Sequence, residues 1–296
     1  MTSADILLTH DIRNILNNGY KDENPRPKYA DGTPAHTLSV NHVVRKYNLQ
    51  KEFPICSLRP IAWKNAIKEI FWIYHDESNS LDVLNNKYGV HYWNQWESII
   101  EPGTIGLRYG ATVGRHNLMC GLLDDIIDDP YGRRHIMSLW QEEDFYITDG
   151  LLPCAFLTIW NVRKYKDKEY LDMALIQRSG DMLAASGAGG INEVQYAALQ
   201  MMVAKATGYK PGVFTHFVAN EQIYDRHMEQ ANELLSRADK QLKIREDKSP
   251  FCYYDIQDVR LEFNPKTNYF YDFSIDDFEM KNYEPVKPQL TLDLGI

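Results

Sequence analysis

"LLPCAFLTIWNVRKYKDKEYLDMALIQRSGD" runs from residue 151 to residue 181. Within it, "AFLTIWNVR" (155–163) and "YLDMALIQRS" (170–179) are rich in aliphatic, aromatic and β-branched side chains, and each predicts a strand. The charged "KYKDKE" between them reads as the connecting turn. Immediately ahead stands Cys154. A lone cysteine after a proline in an apolar run has two readings. Most free cysteines only pack, as small hydrophobes. A nucleophile needs partners that come from elsewhere in the chain.

Outward from this hairpin the pattern stays mixed. "HTLSVNHVVRKYNL" (36–49) predicts another strand. "WKNAIKEIFWIYH" (63–75) places Ala66, Ile67, Ile70, Phe71 and Tyr74 at helical spacing, with Glu69 beside the apolar stripe. "SLDVLNNKYG" (80–89) predicts a short helix stopped at Gly89. "NEVQYAALQMMVAKATGY" (192–209) predicts the strongest helix, capped by Asn192 and burying Val194, Ala197, Ala198, Met201 and Ala204. A further helix is expected over "ANEQIYDRHMEQANELLSRADKQL" (219–242). The Pro-rich "DENPRPKYADGTPAH" (22–36) reads as a loop. With no repeat and no long linker, residues 1–296 are expected to form one domain. Strands and helices without regular alternation indicate an α+β fold with a mixed, largely antiparallel sheet flanked by helices.

Composition narrows the function. The 296 residues are 44% apolar and 25% charged, with a formal net charge of −9. That balance argues against a general DNA or RNA binder, which needs a basic surface. Local arginines can still hold one phosphate in an acidic protein. No apolar run reaches the roughly 18 residues a membrane span needs, and the charged start does not read as a signal peptide. A cytoplasmic protein is expected. Cys56, Cys120, Cys154 and Cys252 are far apart and lack zinc-ligand spacing, so free thiols and no metal are expected. "GAGG" (187–190) is not placed like a dinucleotide loop.

Three features accompany Cys154. Arg133 and Arg134 form a pair in "DPYGRRHIMSLW" (129–140). Arg178, Ser179 and Asp181 fall in "QRSGD" (177–181). Glu69 lies on an otherwise apolar helix face. Taken singly, each arginine reads as a surface ion pair and Glu69 as a solvated helix edge.

Together with "DGTPAHTLSV" (31–40), "AWKNAIKEIFWI" (62–73), "GVHYWNQWE" (89–97), "GTIGLRYG" (103–110) and "FYDFSIDDFEMKNYEP" (270–285), these motifs resemble the folate-dependent thymidylate synthase family. They occur in family order along nearly the whole chain. The resemblance implies a thymidylate synthase-like fold and an obligate homodimer formed through the sheet face. It also implies one-carbon transfer from methylenetetrahydrofolate to C5 of dUMP. Cys154 would add to C6 of uracil, turning the ring into a carbon nucleophile, with its thiol partly ionised by a cationic neighbour. Arg26, Arg178 and Ser179 would hold the phosphate, and Arg133 and Arg134 would reach the neighbouring subunit's site. Asn192 would read the base, while Gln222 and Tyr224 would contact the sugar. Glu69 would act as general acid/base through waters, and Tyr109 would orient the water that removes the C5 proton. Trp93, Trp96, Asp181, Arg59 and the C-terminal Ile296 would hold the folate.

The chain departs from the family pattern in places. Ala155 replaces the usual histidine, Gln222 replaces another, and Arg59 replaces a lysine. Gly180 stands where a bulkier residue is usual, and "MLAASGAGGI" (182–191) is longer than its counterpart. These changes leave two alternatives beside the synthase. One is a nucleotide hydroxymethylase that ends with water addition. The other is a non-catalytic nucleotide- or RNA-binding homologue.

Overall fold

Seven strands form one twisted sheet in the computed structural model, which describes residues 1–244 and 252–295. Along the chain run α1 (Ser3–Asn18), β1 (Tyr20–Lys21), β2 (Thr37–Asn48), α2 (Trp63–Ile70), α3 (Gly110–Arg115), α4 (Leu118–Asp128), β3 (Ile136–Ser138) and α5 (Glu142–Ile147). There follow β4 (Ala155–Tyr165), β5 (Lys168–Gln177), β6 (Gly180–Asp181), α6 (Ile191–Thr207), β7 (Lys210–Tyr224) and α7 (Met228–Asp239). Two small ribbons complete it: β8 (Leu242–Ile244) with β9 (Cys252–Tyr254), and β10 (Arg260–Phe263) with β11 (Phe278–Lys281).

The sheet order is β1-β2-β7-β5-β4-β3, with β6 also paired to β7. β4 and β5 form the expected hairpin, from Ala155 opposite Gln177 to Tyr165 opposite Lys168. Its turn is tighter than "KYKDKE" suggests. Only Lys166 and Asp167 lie outside the ladder, and Lys166 takes the left-handed conformation such a turn requires (φ 55°). β5 and β7 are parallel, which demands a crossover, and α6 supplies it. The other long pairs are antiparallel, so the α+β expectation holds.

Helix α6 is buried almost all round rather than along one stripe. It packs against α2 on one side and β7 on the other, and a helix covered on both sides shows little amphipathicity. Several of its buried polar groups find partners on the sheet. Gln200, for example, donates to the Leu171 carbonyl at 2.8 Å. The helix starts one residue before Asn192, and its N-cap is Gly190. Asn192 is thus not the cap, and its side chain is free for other contacts. Met201 is only partly buried, while the other four residues of the expected stripe are buried. The helix over 63–75 forms as expected and ends in a π-turn over Phe71–His75.

One element is corrected. "ANEQIY" (219–224) is the end of β7, and helix α7 begins only at Met228. The reason is tertiary: Thr37–Asn41 of β2 offers a ladder edge that pairs with Asn220–Tyr224. Residues 210–218, assigned nothing from the sequence, form the rest of this strand.

The topology gathers the chemistry. β5 and β7 run parallel, so their C-terminal ends coincide. β4 runs against β5, so its start meets the end of β5. Cys154, Arg178, Asp181, Gln222 and Tyr224 therefore share one end of the sheet, where α6 also begins. No helix among the described residues is long and apolar enough to cross a membrane. Cys56, Cys120 and Cys154 are free thiols; the side chain of Cys252 lies outside the described residues.

Candidate active site

Cys154 sits one residue before β4, half-buried. Its Sγ lies 3.4 Å from Nη2 of Arg178. Arg178 is fixed by donating to the carbonyls of Pro153 (2.9 Å) and Leu152 (2.8 Å), so the guanidinium is held against the sulfur by the loop that presents it. The Cys154 N–H donates to the Tyr109 hydroxyl at 3.3 Å. Burial pushes the thiol above its ordinary value, while Arg178 and then Arg26 pull it down. The net direction is up, against the expectation of a partly ionised thiol. Desolvation here outweighs the nearby cations.

Tyr109 is the strained residue of the site. Its backbone has φ 48° and ψ −108°, which a bulky side chain adopts only when its surroundings enforce it. Its ring is wedged against Trp93 at 5.1 Å, and Trp93 meets Trp96 at 5.2 Å. Trp93 is buried and Trp96 half-buried.

Glu69 is not a solvated edge: it is buried, 6% exposed. Burial raises its pKa, while the hydrogen bond from the Tyr92 hydroxyl favours the charged form. A carboxyl held above its usual range suits proton transfer near neutrality. The acid limb of the kcat/KM profile should therefore lie above the ordinary glutamate range. Glu69→Gln should remove that limb and lower kcat by about 10²-fold or more. A pH–rate profile of both forms checks this.

The remaining residues are placed differently. Asn192 is gathered to the site by Gln177, whose Nε2 lies 3.2 Å from its Oδ1, and by Gln195, whose Oε1 accepts from its Nδ2 at 3.0 Å. Tyr224 is buried, and its hydroxyl senses Asp181, Cys154 and Arg26. Gln222 lines a polar cleft of about 400 Å³ with Asp22, Glu23, Thr37 and Ser39. Ser179 is half-buried beside Arg178, and Arg26 is exposed on the 22–36 loop.

Asp181 is partly engaged. Its Oδ1 accepts from the N–H groups of Leu183 and Ala184, both at 3.1 Å, and so caps the turn that follows. Its side chain keeps 16% exposure. Arg59 is buried and donates to the Leu183 carbonyl, bracing the same turn. Arg133 and Arg134 stand apart from Cys154's immediate partners. They are exposed at the sheet edge just before β3, and no ion pair of theirs occurs among the described residues. Ile296 lies outside the described residues. The tail leading to it is anchored by His227, whose Nε2 meets the Asp293 carbonyl at 2.6 Å. Gly295 packs on the Tyr224 ring.

The unusual residues of the 180–191 segment explain one another. A side chain at Gly180 would come within 2.1 Å of the Ser186 hydroxyl, and that hydroxyl bonds the buried Glu221 at 2.8 Å. Gly180→Ala should displace Ser186 and cost about 1–3 kcal/mol, seen as a lower melting temperature.

Sequence reading missed Tyr196, whose hydroxyl contacts Tyr74 (2.9 Å) and the Ala155 carbonyl (3.3 Å). It also missed Gln177, although "QRSGD" contains it. The signal for both was a polar group on a strand or helix with no solvent face.

A half-buried cysteine beside an arginine, a buried carboxyl with a raised pKa and an amide side chain at a helix start form an arrangement suited to an enzyme of nucleophilic catalysis. The comparisons agree on which one. The family model described as Thymidylate synthase matches residues 8–294. Thymidylate synthases of Lactococcus lactis subsp. lactis (strain IL1403) and Streptococcus pneumoniae (strain ATCC BAA-255 / R6) are 50% and 48% identical, each alignment covering 100% of both chains. The structure of thermostable thymidylate synthase A from Bacillus subtilis superposes with a TM-score of 0.83 at 33% identity, covering 99% of each chain. The chain belongs to the thymidylate synthase family, methyltransferases that convert dUMP to dTMP with methylenetetrahydrofolate as co-substrate.

Proposed function

We propose that the chain makes dTMP from dUMP through a covalent bond between Cys154 Sγ and C6 of the uracil ring. The observation that carries this is the 3.4 Å contact between the Cys154 sulfur and Arg178, with the Tyr109 hydroxyl beside the Cys154 main chain. Arg26, Arg178 and Ser179 bind the phosphate. Asn192 meets the base, and Gln222 and Tyr224 meet the sugar. Addition at C6 makes C5 nucleophilic. C5 then takes the one-carbon unit, Cys154 is later released by elimination, and Glu69 moves protons through water. Tyr109 orients the water that takes the C5 proton.

The donor set fits a folate. Asp181 keeps an exposed carboxylate edge for pterin N–H groups, and Trp93 and Trp96 offer aromatic faces. When bound, the folate supplies the methylene carbon and then a hydride, leaving as dihydrofolate. Trp93 and Trp96 favour a dry, held co-substrate, and the C-terminal tail closes over it as a lid, so hydride rather than water ends the reaction. Arg59 supports the folate side of the site through the 182–186 turn.

Residues 1–296 act as one catalytic domain, in the cytoplasm, as a homodimer. The outer sheet face carries Val44, Phe217, Ile176 and Leu157 in one cross-strand row, with Val44 52% exposed. An apolar row of this kind calls for a covering surface. A second copy on this face places Arg133 and Arg134, at the sheet edge, in the neighbouring site.

Product analysis tests the reading. Incubation with dUMP and methylenetetrahydrofolate should release dihydrofolate and dTMP in equal amounts. A nucleotide heavier than dTMP by one oxygen, without dihydrofolate, would show that water ends the reaction and make the chain a hydroxymethylase.

A further inference from the structure

His216 lies on β7 beneath the site, wholly buried. One ring nitrogen, Nδ1, is 3.1 Å from Oε1 of Glu193 on α6, and the other, Nε2, is 3.0 Å from Oε1 of Gln177 on β5. Gln177 in turn places its Nε2 3.0 Å from the main-chain carbonyl of Ser179 and 3.2 Å from Oδ1 of Asn192. A buried chain of contacts thus runs from Glu193 to the residue that meets the base.

The direction of each bond follows from what each group can do. The Ser179 carbonyl can only accept, so the nitrogen end of Gln177 must face it. The oxygen end then faces His216, so Nε2 of His216 must carry a hydrogen. The opposite ring nitrogen meets a carboxyl group that already accepts from the Gly189 N–H (2.7 Å) and from Arg45 (3.3 Å). That contact also needs a proton, carried by the ring or by the carboxyl. Arg45 and Tyr47 from β2, Glu221 from β7 and Asp11 from α1 are the other ionisable groups around the pair.

The far end is constrained independently. Asn192 Nδ2 donates to Gln195, and Gln195 adjoins the carboxyl of Glu69. The oxygen of Asn192 therefore faces Gln177, and its nitrogen faces Gln195. One acceptor and one donor remain, which match N3–H and O4 of uracil. Cytosine presents the reverse pattern at those two atoms. An Asn192 amide turned by half a rotation would read cytosine. It would also set nitrogen against nitrogen at Gln177 and oxygen against oxygen at Gln195.

We propose that the buried His216–Glu193 pair, by fixing the Gln177 amide, holds Asn192 in the orientation that accepts uracil and rejects cytosine. His216 is a positioning residue for base choice, acting through Gln177. The inference rests on Asn192 as the base reader.

The test is equilibrium titration of dUMP and dCMP, followed by tryptophan fluorescence, with wild type, His216→Phe and Gln177→Leu. Both variants should lower the ratio of dUMP to dCMP affinity at least tenfold. Met202→Ala, a buried change on α6 outside this chain of contacts, should lower the melting temperature and leave the ratio alone. An unchanged ratio in folded His216→Phe and Gln177→Leu overturns the proposal. If His216→Phe does not fold, Gln177→Leu decides it by the same ratio. The parent reading fails separately: a folded Asn192→Ala that keeps the wild-type ratio removes Asn192 from base choice. Wild type that binds dUMP but makes no dTMP would sink the enzymatic reading instead.

Discussion

Cys154→Ala is expected to abolish turnover, with kcat/KM reduced on the order of 10³-fold or more, as removal of a covalent nucleophile does elsewhere. Affinity for dUMP should change little. Arg178 is anchored by the carbonyls of Pro153 and Leu152, not by the sulfur, so its guanidinium stays in place when the thiol is removed. The measurement has two arms. Titration with dUMP reports binding, and incubation of the wild type with 5-fluoro-dUMP and methylenetetrahydrofolate should trap an adduct at Cys154, located by mass analysis of peptides. The raised thiol pKa adds a condition. Free Cys154 should react slowly with small alkylating agents at neutral pH, because the thiol form dominates there. An adduct at another residue, or an active alanine variant, would remove Cys154 from the mechanism.

On the proposed dimer, loss of both Arg133 and Arg134 takes two cationic groups from the neighbouring subunit's nucleotide site and should cost on the order of 10²-fold in kcat/KM. The effect should fall mainly on KM for dUMP. The same experiment tests the dimer. Mixing Cys154→Ala subunits with Arg133→Ala/Arg134→Ala subunits makes hybrids in which one site has both defects and the other has none. Random pairing should restore about one quarter of wild-type activity from two nearly inactive parents, as two-fold symmetry requires. If mixing restores nothing although subunits exchange, the arginines serve their own subunit's site. In that case the exposed sheet-edge position of the pair has another use.

By itself, the sequence determined the elements whose pattern is local. The 155–163 and 170–179 runs are rich in aliphatic, aromatic and β-branched residues and are joined by a charged turn, so the hairpin was legible, and the 63–75 stripe gave α2. The motifs around Cys154 also marked the family, because each keeps its residue types within a few positions. Tertiary structure decided what depends on neighbours. "ANEQIY" has helix-compatible residues, but a free edge of β2 made it strand. Helix α6 carries Glu193, Gln195 and Gln200 on buried faces, where amphipathic reading expects none, because partners on β5, β7 and α2 cover it on every side. Glu69 looked like a solvated edge until Tyr92, Trp93 and Gln195 closed over it. The ionisation of Cys154 could not be read from its arginines, since the opposing desolvation is a property of depth. A string of residues carries charge and shape; burial, which sets the cost of a charge and the direction of a buried hydrogen bond, exists only after the chain has packed.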